Sequence, residues 1–98
     1  GVIPKFPATS RDATIIIDRA IEAGNILDYV RRMDETLVED ITLFDIFTGD
    51  PIAKEKTSIS SRTSSRPLTE TLEDEVINRL HKEITFKVIG QFHAGLPE

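Results

Sequence analysis

The stretch "KTSISSRTSSRP", Lys56 to Pro67, decides the fold. Five serines, two threonines and two arginines surround a single isoleucine. By composition it is a Ser/Arg linker. By position it lies between two segments with the patterning of folded structure, which makes a strand the competing reading. Alternation tells what such a strand would present. Ile59, Ser61, Thr63 and Ser65 would share one face. Ser58, Ser60, Arg62, Ser64 and Arg66 would share the other. Arg62 and Arg66 would then stand roughly 13 Å apart on one face. Buried arginine requires a partner, so the even-numbered face is predicted to be the open one.

The flanking segments set the element order. "GVIPKFPATS" has two prolines and no period, and reads as an extended lead-in over residues 1–10. "RDATIIID", Arg11 to Asp18, is β-branched and of strand length. "AGNILDYVRRMDE" carries Ile26, Leu27, Val30 and Met33 as a helical stripe. "LVEDITLFDIF", Leu37 to Phe47, is again strand-like, and "TGDP" (Thr48 to Pro51) signals a turn. Its apolar residues fall on both parities: Ile41, Leu43 and Phe47 against Phe44 and Ile46.

After the Ser/Arg stretch, Thr71 and Asp74 resemble a capping box. Glu73, Asp74 and Glu75 sit where a helix dipole favours acids. Ile77, Leu80, Ile84 and Val88 form a buried stripe, Gly90 lies near the expected helix end, and "FHAGL" reads as a short last strand. With Lys56–Arg66 as a strand the order is βαββαβ. That predicts an α+β, ferredoxin-like sandwich: a four-stranded antiparallel sheet with two helices on one face and the other face open.

Bulk properties narrow the function. The chain has 98 residues, enough for one domain that buries roughly two-thirds of its unfolded surface. Hydrophobic residues make up 39% and charged residues 30%, a globular composition. Cysteine is absent, which excludes disulfides and thiolate metal sites. No apolar run reaches the length of a membrane span, and a cytoplasmic location with no membrane partner is expected. The net charge of -5 is unusual for a nucleic-acid binder. The charge is segregated, however: Lys54, Lys56, Arg62 and Arg66 meet only Glu55 before the acids from Glu70 to Glu75 begin. Such segregation permits a basic face on an acidic protein.

Catalytic constellations are lacking. His81 and His93 have no companion at metal-ligand spacing, and neither a GxSxG elbow nor a phosphate-binding glycine loop occurs. The carboxylates read as solvated helix faces. No residue set in the sequence points to catalysis, to a cofactor or to a metal.

Three segments, in this order and at this spacing, resemble a known domain: "KFPATSRD" (Lys5 to Asp12), "LFDIFTGDPI" (Leu43 to Ile52) and "TLEDEVIN" (Thr71 to Asn78). From Ile3 to about Leu96 the chain resembles the C-terminal ferredoxin-fold anticodon-binding domain of the bacterial phenylalanyl-tRNA synthetase beta subunit. The resemblance implies a binding module for the anticodon stem-loop of phenylalanine tRNA within an alpha-beta heterotetramer. It implies a phenylalanine-tRNA ligase whose active site, with its ATP and magnesium, lies elsewhere, on the alpha subunit. It places Asp45 and Phe47 against the first anticodon base, a guanine. A carboxylate there accepts from guanine N1–H and N2–H₂, and an aromatic stacks on the splayed base. Thr14 and Ser58 match small neighbours that leave room for a base. Arg62 and Arg66 match basic positions that contact phosphate or form a guanidinium shelf. Lys56 and Arg11 complete the expected RNA-binding set. Backbone contacts are expected to dominate, with weak isolated affinity.

The alternative is a ferredoxin-like regulatory or protein-interaction domain of the ACT type, which binds ligands through a glycine-bearing first loop. Gly24 is the only glycine near that loop. Acylphosphatases share the topology and use an Arg and an Asn. Arg19 and Asn25 lie near the first strand–helix junction, but that family's glycine-rich loop is missing.

The chain departs from the resembled pattern in three places. Ser61, Thr63 and Ser65 replace large apolar residues of the third strand. Glu70 replaces a basic residue, and Phe47 stands where tyrosine is usual. Phe86 and Phe92 are expected to fill part of the missing core volume.

Overall fold

The computed structural model describes residues 7–33, 37–66 and 74–97. Its elements are β1 (Thr9–Asp18), α1 (Ala23–Arg32), β2 (Val38–Phe47), β3 (Lys56–Ser65) and α2 (Asp74–Phe92). The Ser/Arg stretch is a strand, and β3 is the centre of a sheet ordered β1-β3-β2 with both pairings antiparallel. A strand paired on both edges satisfies its backbone donors and acceptors whatever its side chains are, and here that overrides composition. The capping box expected at Thr71 lies outside the described residues, and so does Glu70.

Register assigns the faces. Ile15 stands opposite Ile59, Ile17 opposite Thr57, Ala13 opposite Ser61 and Arg11 opposite Thr63. Ile41 also stands opposite Thr63, and Leu43 opposite Ser61. These residues line the helix-facing side. The core joins Ile15, Ile17, Ile41 and Ile59 to Ile26 and Val30 of α1 and to Leu80, Ile84 and Val88 of α2. Ile26 and Val30 are one helical turn apart, as are Leu80, Ile84 and Val88, so one stripe of each helix meets the sheet.

Local chemistry sets the element ends. The Asp18 carboxylate accepts from the Ala20 N–H at 2.9 Å and turns the chain out of β1. Arg31 and Arg32 occupy the last turn of α1, where the dipole favours cations. Gly49 has φ of 103°, a left-handed value suited to glycine, in the turn after β2. His93 has φ of 53°, and the Ala94 N–H bonds the Ile89 carbonyl at 3.0 Å, a Schellman closure of α2.

That closure accounts for a departure from the expected four strands. α2 runs past Gly90 to Phe92, so the first residue of the expected "FHAGL" strand is helical and His93 closes the helix. Gly95 makes a two-bond bridge with Ile16, at 2.9 and 2.8 Å. Pro97, with no N–H, cannot extend the ladder as a donor. Among the described residues the sheet therefore has three strands and one bridge in place of a fourth.

The small residues of β3 leave space. A partly open cavity of about 540 Å³ lies between the sheet and the helices. Ala13, Ser61 and Thr63 line its sheet side, and Ile84, Phe86 and Val88 line its helix side. The two phenylalanines do not fill it as expected. Phe86 is 60% exposed at the rim. Phe92 packs edge-on against Tyr29, ring centroids 5.5 Å apart. Ser65 is fully buried, and its hydroxyl lies 3.2 Å from His81 Nε2. No fully buried side-chain polar atom among the described residues lacks a hydrogen-bond partner.

Two outcomes follow from this packing. Ser61→Val adds apolar volume to the cavity wall and should stabilise the fold by about 0.5–1.5 kcal/mol. Urea unfolding checks it; a lower midpoint would show that the sheet wall has no room. Burial, and then the positive charge of Arg11, hold His81 below its usual pKa. The unfolded chain therefore takes up this proton first as pH falls. Stability from His81 is complete above the ordinary histidine range and is lost as pH drops through its lower folded value. His81→Gln should flatten the fall in urea midpoint between about pH 7.5 and pH 5. An unchanged slope would remove His81 from the account.

Candidate nucleic-acid interface

The face away from the helices is built in rows across the three strands. Ile16, Ser58 and Phe47 form one row, and Thr14, Ser60 and Asp45 the next. Asp12, Arg62 and Thr42 follow, then Ser10, Ser64 and Asp40. Lys56 stands opposite Asp18 at one end. The even-numbered face of β3 is thus the open one, as its arginines predicted.

Strict alternation along β2 would put Asp45 and Phe47 with Ile41 and Leu43, in the core. The register shift between Leu43 and Asp45 prevents that. One extra residue, Phe44, enters the strand there, and every side chain after it changes face. Asp45 and Phe47 thereby reach the open face, and Phe44 does too. A second shift, between Val38 and Asp40, inserts Glu39. The apolar residues on both parities were the trace of this bulge in the sequence.

Small side chains surround Asp45 and Phe47. Thr14 Oγ1 and Ser60 Oγ are 2.8 Å apart, so these two hydroxyls satisfy each other beside Asp45. Phe47 stands opposite Ser58. Phe44, Ile46 and Phe47 are 53%, 57% and 44% exposed. Phe44 and Phe47 form an open aromatic patch beside a carboxylate, while Ile46, opposite Ile59, is exposed on the helix-facing side. This arrangement can stack a flat ring and accept hydrogen bonds from its edge.

The basic residues are distributed differently from the expectation. Arg62 donates from Nε and Nη2 to the two Asp12 carboxylate oxygens, at 2.8 and 3.0 Å. Its guanidinium carbon lies 5.0 Å from the Phe44 ring centroid. Hydrogen bonds from Arg62 hold the Asp12 carboxyl below its usual range, and the neighbouring charge adds to this against slight desolvation. The same pair raises Arg62 further above its already high value. Arg66 pairs with Glu39 at 3.0 Å. Lys56 makes no ion pair among the described residues.

Arg11 does not belong to this face. It projects toward α2, where its Nε donates to Asn78 Oδ1 at 2.9 Å and its Nη2 lies 3.9 Å from Asp74. Its parity with Ala13 and Ile15 dictates that side. Of the expected set, the structure brings Thr14, Asp45, Phe47, Ser58 and Arg62 together, with Lys56 and Arg66 toward the two ends. Ser60 and Phe44 join them without having been expected. No metal-binding group of His or carboxylates occurs among the described residues. No helix among them is long and apolar enough to cross a membrane.

Residues 4–97 match the family model described as ferredoxin-fold anticodon binding domain. A phenylalanine–tRNA ligase beta subunit from Brucella abortus is 36% identical over 86 residues, 88% of this chain. The subunits of that name from Geobacillus kaustophilus and Syntrophus aciditrophicus are 32% identical over 94 residues and 31% over 90. These stretches cover 96% and 92% of this chain respectively. The aligned stretch makes up 11–12% of the length of these relatives.

The Asp12–Arg62 pair makes a direct prediction. Asp12 should titrate below the usual carboxylate range by carboxyl-carbon NMR, and Arg62→Gln should return it toward that range. An unmoved titration would mean that the pair does not persist in solution.

Proposed function

Because the chain belongs to the ferredoxin-fold anticodon binding domain family, we propose that its open sheet face receives the anticodon loop of phenylalanine tRNA. The observation that carries this is the β2 bulge, which sets the Asp45 carboxylate and the Phe47 ring on one face, Asp45 in the row of Thr14 and Ser60 and Phe47 beside Ser58. Phe47 stacks on an unpaired base, and Asp45 accepts from the Watson–Crick edge of a guanine at the first anticodon position. Thr14, Ser58 and Ser60 leave room for the base. Phe47 supplies the stacking surface without the hydroxyl of a tyrosine.

Base contacts, rather than the backbone contacts expected from the sequence, dominate this binding. Asp12, Asp18, Asp40 and Asp45 share the face with Lys56, Arg62 and Arg66, and two of the arginines are already paired. Few counterions are released, so binding is weak and its salt dependence shallow. The chain acts as one binding module of a phenylalanyl-tRNA synthetase beta chain in the cytoplasm. Aminoacylation belongs to the alpha subunit of the heterotetramer, and this module catalyses nothing by itself. The family match favours RNA recognition over the ligand-sensing alternative.

NMR titration of the 98-residue chain with an anticodon stem-loop at low salt checks the face. Shifts should centre on Thr14, Asp45, Phe47, Ser58 and Ser60; shifts confined to the helices would reject it. Asp45→Ala should reduce discrimination between guanine and adenine at the first anticodon position by roughly 1–3 kcal/mol, with a smaller loss of general binding. Equal loss for both stem-loops would remove Asp45 from base reading.

A further inference from the structure

Phe44 is the large aromatic of the open face that the reading above leaves without a role. It is the residue inserted by the bulge, and it is 53% exposed. One side of its ring is occupied: the Arg62 guanidinium carbon lies 5.0 Å from the ring centroid. Arg62 is in turn fixed by two hydrogen bonds to Asp12, at 2.8 and 3.0 Å. Carboxylate, guanidinium and ring thus form a chain across β1, β3 and β2, each group orienting the next.

This chain changes what Arg62 can do. Two of its donors are committed to Asp12 in bidentate geometry, and its charge is compensated at contact distance. A cation in that state releases few counterions if a phosphate approaches. What it offers the Phe44 ring is its cationic guanidinium, which lies over the ring. Phe44 and Phe47 are three residues apart along the strand, roughly 10 Å. Successive stacked bases are about 3.4 Å apart. One continuous base stack cannot rest on both rings, whereas two splayed bases can, with Asp45 between them.

We propose that Phe44, backed by Arg62 and Asp12, is a second base-stacking platform that takes the nucleotide next to the one held by Asp45 and Phe47. This rests on the anticodon-loop reading and extends it from one recognised base to two. Phe44 touches the second base. Arg62 is a positioning residue that fixes the ring and makes no phosphate contact.

Fluorescence anisotropy with a labelled anticodon stem-loop, across a salt series, tests the arrangement. Phe44→Leu should weaken binding roughly 5- to 100-fold, and Phe44→Tyr should keep it within about twofold. An abasic site at one of the two positions flanking the first anticodon guanine should cause the same loss. That probe should then be indifferent to Phe44→Leu. Arg62→Gln should weaken binding and leave the slope of log Kd against log salt unchanged; a slope smaller by about 0.7 would make Arg62 a phosphate contact. Thermal midpoints establish that each variant is folded. If Phe47→Leu weakens binding and Phe44→Leu does not, the second platform is overturned and the anticodon reading stands. If the unmodified chain does not bind the stem-loop at all, both are overturned.

Discussion

The double pairing of β3 is the constraint on which the rest of the structure depends. A strand of serine, threonine and arginine has little apolar surface with which to hold itself in place. It is held by backbone hydrogen bonds to β1 on one edge and β2 on the other. Its single large apolar residue, Ile59, sits between Ile15 and Ile46 and pins the register to the core. A slip of one residue would carry Ile59 into solvent and Arg62 under the helices, at the cost of an unpaired buried charge. The faces of both neighbouring strands follow from that register.

The small side chains have a different consequence on each side. Under the helices they leave a cavity that α2 does not close, with Phe86 at its rim and Phe92 turned to Tyr29. On the open side they make a floor of hydroxyls, low enough for a flat ring to lie between taller neighbours. The bulge in β2 then raises the tall groups. Without Phe44 as an inserted residue, Asp45 would face Ile41 and Leu43 in the core, where an unpaired carboxylate is strongly disfavoured. Burial energetics and site construction favour the same irregularity.

Electrostatics assigns the arginines structural partners first. Arg62 and Asp12 neutralise each other across β1 and β3, Arg66 meets Glu39, and Arg11 ties β1 to Asn78 of α2. A face with so little uncompensated charge recognises a partner by shape, stacking and hydrogen bonding more than by attraction at a distance. This agrees with a chain of net charge -5 in a family named for anticodon binding. The chain spans 11–12% of the length of the relatives it matches.

The amino-acid sequence by itself determined the order of the first five elements, the helix stripes, the parity of β3 and the family. All of these depend on local periodicity or on motifs kept in order along the chain. Ile26 with Val30, and Ile77 with Leu80, Ile84 and Val88, are legible because a helix repeats its buried face every turn. Arg62 with Arg66 is legible because a buried guanidinium is costly anywhere. The tertiary structure alone decided three things. The extension of α2 to Phe92 left a single bridge where a fourth strand was expected, because helix continuation and strand pairing compete for the same residues. Arg11 went to the helix side: alternation within Arg11–Asp18 already grouped it with Ala13 and Ile15, but only the packing of α2, with Asn78 and Asp74, showed which side of the sheet that is. The bulge at Phe44 put Asp45 and Phe47 on the open face. Apolar residues on both parities announce that some irregularity exists, but its position is set only when β2 pairs with β3.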